Sequence, residues 1–203
     1  MIDIILASAS PRRKQLLEDA GVQFKILVAE VDEKLEPEEE ANPEEAAQML
    51  AEKKAGAVVS QVLEQTPANP TVIIAADTMV VLDGEIFGKP RSVSEAKGML
   101  RKLSGNTHQV ITAVSVWMVS AGEAQNVSVG RKTFADSSFV TFKALDDETI
   151  TTYLRQGESF DKAGAYAAQG EGAKLIEKIE GEIDTVIGLP VKKLLQEFPD
   201  LLS

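Results

Sequence analysis

The chain has 203 residues, of which 44% are hydrophobic and 26% charged, as in an ordinary globular protein. Its 32 acidic and 21 basic side chains give a net charge of −11, which disfavours binding to DNA, RNA and anionic membranes. The absence of cysteine excludes disulfides, thiolate metal sites and cysteine nucleophiles.

The longest apolar runs have the length of strands, and the N-terminus carries an acid where a signal peptide has a basic region. We therefore expect a cytoplasmic protein with no membrane span. The length suits one domain over residues 1–203, or two small lobes that share a core.

The first predicted unit is a strand, a polar loop and a helix. The apolar run from Ile2 to Ala7 is typical of a buried strand, and the helical stretch ends near Ala20. Ser10 suits the N-cap, and Pro11 suits the first helical position. The loop at 8–13 places two serines and two arginines at a helix N-terminus, which favours phosphate binding. A capped surface helix whose arginines pair with local acids is an equally good interpretation of these residues alone.

A second helix is predicted after an acid-rich loop at residues 30–45. Asn42 is its expected cap, Pro43 its first residue, and Val62 lies near its end. The next apolar run, Thr71 to Ala76, predicts a central strand that ends on Asp77-Thr78. Met79 to Leu82 follows and leads into a hairpin that returns through Glu85 to Gly88. The dipeptide Asp83-Gly84 is typical of a two-residue hairpin turn.

The remaining pattern predicts a mixture of helices and strands. Ser92 and Glu95 form a capping-box pair at the start of a helix that ends near Gly105. Later elements are a β region at 108–119 and 127–142, a helix from Asp146 to Arg155, a glycine-rich loop at 164–172, two short strands within 174–187, and a helix at 189–198. This order favours an α/β fold with a central sheet.

Few side chains are candidates for chemistry. Asp77 follows the most apolar strand, where a carboxylate can bind a metal or accept a proton, although a turn or cap residue is the commoner role. Lys89 follows the hairpin closely enough to share the neighbourhood of Asp77, although alone it would be a solvated lysine. Lys54 lies on a helix, where lysine usually faces water. Spacing alone does not distinguish Glu33 from the other acids of its loop.

Several common motifs are missing from the sequence. It contains no G-x-x-x-x-G-K-[ST] phosphate loop, no dinucleotide G-x-G-x-x-G and no H-E-x-x-H. A Ser-His-Asp triad would have to use the single histidine, His108, but the sequence contains no G-x-S-x-G motif for the serine. We therefore interpret His108 as a structural residue.

Nine segments, in one order along nearly the whole chain, resemble the Maf family of nucleotide pyrophosphatases. They are Leu6-Ala7-Ser8-Ala9-Ser10-Pro11-Arg12-Arg13, Lys54-Ala55, Ala76-Asp77-Thr78, Gly88-Lys89-Pro90, Leu103-Ser104-Gly105, His108-x-Val110-x-Thr112, Asp161-Lys162-Ala163-Gly164-Ala165-Tyr166, Gln169-Gly170 and Val186-Ile187-Gly188-Leu189-Pro190.

The resemblance implies a curved mixed β-sheet flanked by helices, in two lobes with a central cleft, as in inosine triphosphate pyrophosphatases. It implies hydrolysis of a nucleoside triphosphate between the α and β phosphates with a divalent cation, Mg²⁺ or Mn²⁺. A homodimer is also expected. The implied residues are Ser8, Arg12 and Arg13 for phosphate, Lys54, Lys89, Glu33 and Asp77 for catalysis, Glu33 and Asp77 for metal, and Arg12, Thr78 and Gln169 for specificity.

Within the family, the sequence is similar to the branch that acts on dTTP and UTP. The sister branch, linked to 7-methyl-GTP, tends to carry Trp at the position of Pro11, Gln at Thr78 and Glu at Gln169. Whether Asp77 deprotonates water or mainly holds metal stays open at this stage. Two other functions also remain: a nucleotide-binding regulator of septum formation and cell division, and a phosphatase that releases orthophosphate.

Overall fold

The computed structural model describes residues 2–65, 67–121 and 127–202. In these ranges the strands are β1 (Asp3–Leu6), β2 (Lys25–Ile26), β3 (Thr71–Leu82), β4 (Glu85–Phe87), β5 (Thr107–Ala121), β6 (Val127–Phe142) and β7 (Ile176–Glu180). The helices are α1 (Pro11–Asp19), α2 (Pro37–Glu40), α3 (Pro43–Glu64), α4 (Val93–Leu103), α5 (Asp147–Leu154), α6 (Ile183–Ile187) and α7 (Val191–Glu197), with 3₁₀ turns at Ala163–Ala165, Gly170–Leu175 and Pro199–Leu202.

The described strands form one mixed sheet in the order β2-β1-β3-β5-β6-β7, with β4 paired to β3. Strand β1 lies parallel to both β2 and β3, whereas β3 with β4 and β6 with β7 are antiparallel pairs. The expected α/β class with a mixed sheet is therefore confirmed. No helix in the described part of the chain is long and apolar enough to cross a membrane.

The chain divides into two compact units. The first unit comprises the chain up to Asp77, residues 112–136 and the chain from Gly188 onwards, and the second comprises residues 78–111 and 137–187. Each unit has its own apolar core. The assignment of residues 1–203 to a single domain stays a prediction.

The continuous apolar run in β3 results from burial of both of its faces in the first unit. Val72, Ile74 and Ala76 pack into a cluster with Leu6 and other residues of β1, α1 and α7. The alternate residues Ile73 and Ala75 pack into a second cluster that includes α3. A strand buried on both sides loses the polar–apolar alternation of a half-exposed strand.

Three expectations about local structure are wrong. Strand β3 does not end at Asp77 but continues to Leu82, because Met79 and Val80 beyond it are buried and the strand goes on to pair with β4. The acid-rich loop contains the short helix α2, which is stabilised by a capping box between Glu36 and Glu39. Residues 174–187 form one strand and a helix in place of two strands.

The other helix and strand predictions are confirmed within one to three residues, and the predicted glycine-rich loop at 164–172 has a 3₁₀ turn at each end. Ser10, Asn42, Ser92 and Asp146 each cap a helix by accepting a hydrogen bond from a backbone N–H of the first turn. The predicted hairpin joins β3 to β4, and both of its turn residues have the positive φ of a type I′ turn: 52° at Asp83 and 82° at Gly84.

His108 lies in the core of the second unit and is only 1% exposed. Its Nε2 is 2.7 Å from the hydroxyl oxygen of Tyr166, and its ring packs edge-on against Phe142. Burial lowers the pKa of His108 from 6.5 to about 4, so the imidazole is neutral at pH 7. These contacts agree with a structural role for the one histidine.

We expect His108 to make the folded protein less stable in acid. Because its pKa is lower in the folded chain, the unfolded chain binds more protons between pH 6.5 and about 4. The free energy of unfolding therefore falls as the pH drops through this window. Relative to His108→Gln, which does not titrate, the wild type should lose about 2–3 kcal/mol more between pH 7 and 4 in urea unfolding. Parallel curves for the two proteins would contradict the assignment.

Candidate active site

The first unit holds a buried ion pair between α3 and β3. The Nζ of Lys54 donates to Oδ1 of Asp77 at 2.6 Å, and the two side chains are 15% and 10% exposed. The water-facing position expected for a lysine on this helix is therefore wrong. Asp77 is neither a cap nor a turn residue, because it lies inside β3. Two charges are kept this far from water only where each has a partner.

A second carboxylate contacts the same lysine. Oε1 of Glu33 is 3.1 Å from the Nζ of Lys54, and its side chain is 45% exposed. The neighbouring Lys53 donates to the backbone carbonyl of Asp32 at 3.1 Å, so consecutive lysines of α3 hold this segment. The structure therefore distinguishes Glu33 from the nearby acids, because only Glu33 among these three acids is seen to contact Lys54. The side chains of Asp32 and Glu36 accept hydrogen bonds from Lys34 instead.

The serine- and arginine-containing loop at 8–13 joins β1 to α1. Ser8 is buried, and its Oγ accepts from the backbone N–H of Ser10 at 3.2 Å and from a guanidinium nitrogen of Arg13 at 3.3 Å. The Nε of Arg13 donates to the carbonyl of Gly188 at 2.7 Å. Uncharged acceptors on either side therefore orient this guanidinium at the N-terminus of α1.

The charges of this loop and of the carboxylates act on one another. Burial is the largest influence on Arg13 and lowers its pKa, Arg12 also lowers it, and Asp77 and Glu33 raise it. Arg12, Arg13 and Lys54 thus oppose two carboxylates, which leaves a local positive excess in a chain of net charge −11. Such an excess favours a small phosphate ligand.

Three of the predicted site residues belong to the second unit. Thr78 directly follows Asp77 in β3 and is half-buried, whereas Lys89 and Gln169 are exposed. The backbone N–H of Gly164 donates to the carbonyl of Gly88 at 3.1 Å, which ties the residue before Lys89 to the segment that leads to Gln169.

Sequence reasoning missed one contributor to the site, the carbonyl of Gly188. It lies 175 residues from Arg13 along the chain, and it acts through the main chain. No residue type or spacing could have indicated it. Among the described residues, no three or more histidine, aspartate or glutamate side chains are grouped so that they could hold a metal ion.

The chain is similar to known proteins over nearly its whole length. Residues 3–201 match the family model described as Maf-like protein. The dTTP/UTP pyrophosphatase of Bacillus velezensis is 45% identical over 194 residues, which cover 95% of this chain and 93% of the relative. The enzyme of the same name from Clostridioides difficile is 44% identical over 193 residues (95% and 92%), and that of Escherichia coli is 41% identical over 203 residues (100% and 93%). The solved structure of the Staphylococcus aureus Ham1 protein aligns over 98% of each chain with a TM-score of 0.47 and 15% identity. The chain belongs to the Maf-like protein family.

Proposed function

We propose that this protein is a nucleoside triphosphate pyrophosphatase that prefers dTTP and UTP and releases the monophosphate and pyrophosphate. Its role would be to remove unwanted nucleotides from the pool. The observation that carries the proposal is the buried pair of Lys54 and Asp77, which lies within electrostatic reach of Arg13 on the serine–arginine loop. The relatives named dTTP/UTP pyrophosphatase, which match over nearly their full length, support the same activity.

In this proposal the triphosphate binds at the N-terminus of α1. The positive end of the helix dipole, together with the hydroxyl of Ser8 and the guanidinium of Arg13, suits phosphate oxygens. Arg12 and Lys54 add positive charge beside them. Phosphoryl transfer depends mainly on positioning and on charge stabilisation, and this group of side chains supplies both.

Asp77 is proposed to orient the attacking water and to accept its proton. Its carboxylate is held at 2.6 Å by Lys54, which fixes the orientation of Oδ1. The scissile bond lies between the α and β phosphates, and pyrophosphate leaves with the negative charge that the cations stabilise. A pure binding protein would not need this paired base, so the pair supports turnover over a regulator that only binds nucleotide.

The carboxylates of Asp77 and Glu33 fit a divalent cation. Both converge on the single ammonium of Lys54, so their oxygens lie near one point. Mg²⁺ commonly takes one or two carboxylates together with phosphate oxygens and water, and Mn²⁺ accepts similar oxygen ligands. When bound there with the substrate, either cation would neutralise charge on the phosphates.

Other roles rest on the family resemblance. Lys89 is assigned to phosphate binding and catalysis, and Arg12, Thr78 and Gln169 are assigned to base selection. A cytoplasmic location and a homodimer stay predictions.

We expect the purified protein to hydrolyse dTTP and UTP faster than ATP, CTP and GTP, and only with Mg²⁺ or Mn²⁺ present. The test is kcat/KM on the five nucleotides, measured with each cation and again in EDTA. A protein first treated with EDTA and then supplied with Mg²⁺ controls for irreversible damage. Full activity in EDTA would contradict the metal assignment, and equal rates on all five nucleotides would contradict the substrate assignment.

Gln169→Glu should lower kcat/KM for dTTP and UTP more than for GTP. The uracil or thymine edge offers acceptor, donor and acceptor, and a glutamine amide can both donate and accept, whereas an ionised glutamate only accepts. A polar group that is buried by the bound base and mispaired costs about 1–3 kcal/mol, which corresponds to discrimination of about 5-fold to 150-fold. Steady-state kinetics on the three nucleotides provide the measurement. Equal losses on all of them would show that Gln169 supports its segment and does not read the base.

A further inference from the structure

The segment from Gly164 to Gly172 in the second unit has an unusual backbone. Gly164, Ala165 and Gly170 have φ angles of 68°, 62° and 62°. Ala165 is the notable one, because it is fully buried and carries a side chain in the left-handed region. Such a conformation persists only where the surroundings fix it, and it occurs often where a site is preorganised.

Two buried hydrogen bonds fix this segment at consecutive residues. Tyr166 is bonded to His108 through its hydroxyl. The next residue, Ala167, donates its backbone N–H to the hydroxyl of Tyr153 at 3.2 Å. Tyr153 lies on α5 and is 4% exposed, so no water can readily replace its hydroxyl as the acceptor.

Close approaches fix the other end of the segment. A side chain at Gly172 would place its Cβ 2.2 Å from the carbonyl oxygen of Ala167, so the chain folds back onto that residue. At Gly170 the φ of 62° disfavours any side chain, and a Cβ there would also lie 3.0 Å from Oε1 of Glu158. Gln169, which is exposed, therefore sits between the anchored Ala167 and the confined Gly170.

We propose that Tyr153 is a positioning residue for base selection, because its hydroxyl anchors the backbone two residues before Gln169. The inference rests on the proposed function, in which Gln169 contacts the base. Tyr153 does not touch the substrate in this account. Its hydroxyl holds the segment so that the amide of Gln169 has one orientation before the nucleotide binds. Binding then does not have to order this segment, which lowers its entropic cost.

Tyr153→Phe removes only the hydroxyl and keeps the ring in the core. We expect kcat/KM for dTTP and UTP to fall about tenfold, mainly through KM, while kcat/KM for GTP changes less than twofold. Thr152→Val is the matched control, since it removes a hydroxyl from the adjacent, exposed residue of α5. It should change none of these values. A uniform loss on all nucleotides, or no loss at all, would overturn the proposal.

A double-mutant cycle tests whether Tyr153 acts through Gln169. In a Gln169→Ala background, Tyr153→Phe should have almost no further effect on the ratio of dTTP to GTP activity. Additive losses would overturn the proposal. Gly170→Ala, which displaces the same segment from its other end, should reproduce the nucleotide-selective loss, so the test does not depend on one variant.

The same assays distinguish failure of the proposed function from failure of the positioning role of Tyr153. If the wild type does not hydrolyse dTTP or UTP, the proposed function fails and this inference fails with it. If the wild type prefers dTTP and UTP and Gln169→Ala abolishes that preference, but Tyr153→Phe keeps it, only the positioning role of Tyr153 is wrong.

Discussion

Asp77→Asn should abolish most of the pyrophosphatase activity and leave the fold almost unchanged. The substitution keeps the volume of the side chain and removes its basicity, and loss of a general base alone lowers kcat by about 10²–10⁴-fold. Stability should fall by only about 1 kcal/mol, because the amide oxygen can still accept from Lys54 and because Lys54 keeps Glu33 as a partner. Steady-state kinetics on dTTP and urea unfolding measure the two effects.

Asp83→Asn is the matched control for this variant. Asp83 is an exposed residue of the type I′ turn that follows the same strand, and asparagine is well suited to its positive φ. It should retain activity within about twofold of the wild type. Near-normal turnover of Asp77→Asn would show that Asp77 is a structural partner of Lys54, and Glu33 would be the next candidate for the base.

Lys54→Met should damage both activity and stability. Removing one preorganised charge from an active site lowers kcat by about 10²–10³-fold. The carboxylate of Asp77 would stay buried without its ammonium partner, which should cost about 3 kcal/mol at this buried pair. Urea unfolding should detect this loss. Lys54→Met should therefore lower the stability more than Asp77→Asn does. Loss of Lys54 leaves a buried carboxylate without its cation, whereas loss of the charge of Asp77 leaves Lys54 paired with Glu33.

Lys53→Met provides an internal control for this result. Lys53 is adjacent on the same helix but exposed, and it donates to a backbone carbonyl of the 32–33 segment. Its loss should change activity less than about threefold. Mg²⁺ should also raise the melting temperature of Lys54→Met more than that of the wild type, because the cation would partner the two carboxylates that have lost their ammonium group. Equal effects of the two lysine substitutions would contradict a specific role for Lys54.

The sequence predicts much of the helix and strand framework well because the signals for these elements are local. The caps at Ser10 and Asn42, the apolar run of β3 and the turn at Asp83 each depend on neighbouring residues. The predicted end of β3 is wrong because Asp77 is a polar residue inside a buried strand. Its charge is tolerated there only through Lys54, 23 residues earlier in the chain.

The arrangement of the candidate site could be predicted only in part. The residue types of the loop at 8–13 predict phosphate binding, and the structure places the guanidinium of Arg13 beside the hydroxyl of Ser8 in this loop. The convergence of Glu33 and Asp77 on Lys54 is a tertiary feature that no spacing encodes. The family resemblance names Glu33, Lys54 and Asp77 together, and the structure brings these three side chains into contact, whereas the residues alone place Lys54 in water.

The inorganic product of dTTP hydrolysis tests the central claim most directly. Phosphorus NMR of a reaction with the wild-type protein and Mg²⁺ should show dTMP and pyrophosphate appearing in equal amounts from the first time point, and no signal should form with Asp77→Asn. Orthophosphate and dTDP as first products would mean that the bond between the β and γ phosphates is broken. That result would contradict the assignment of this protein as a nucleoside triphosphate pyrophosphatase.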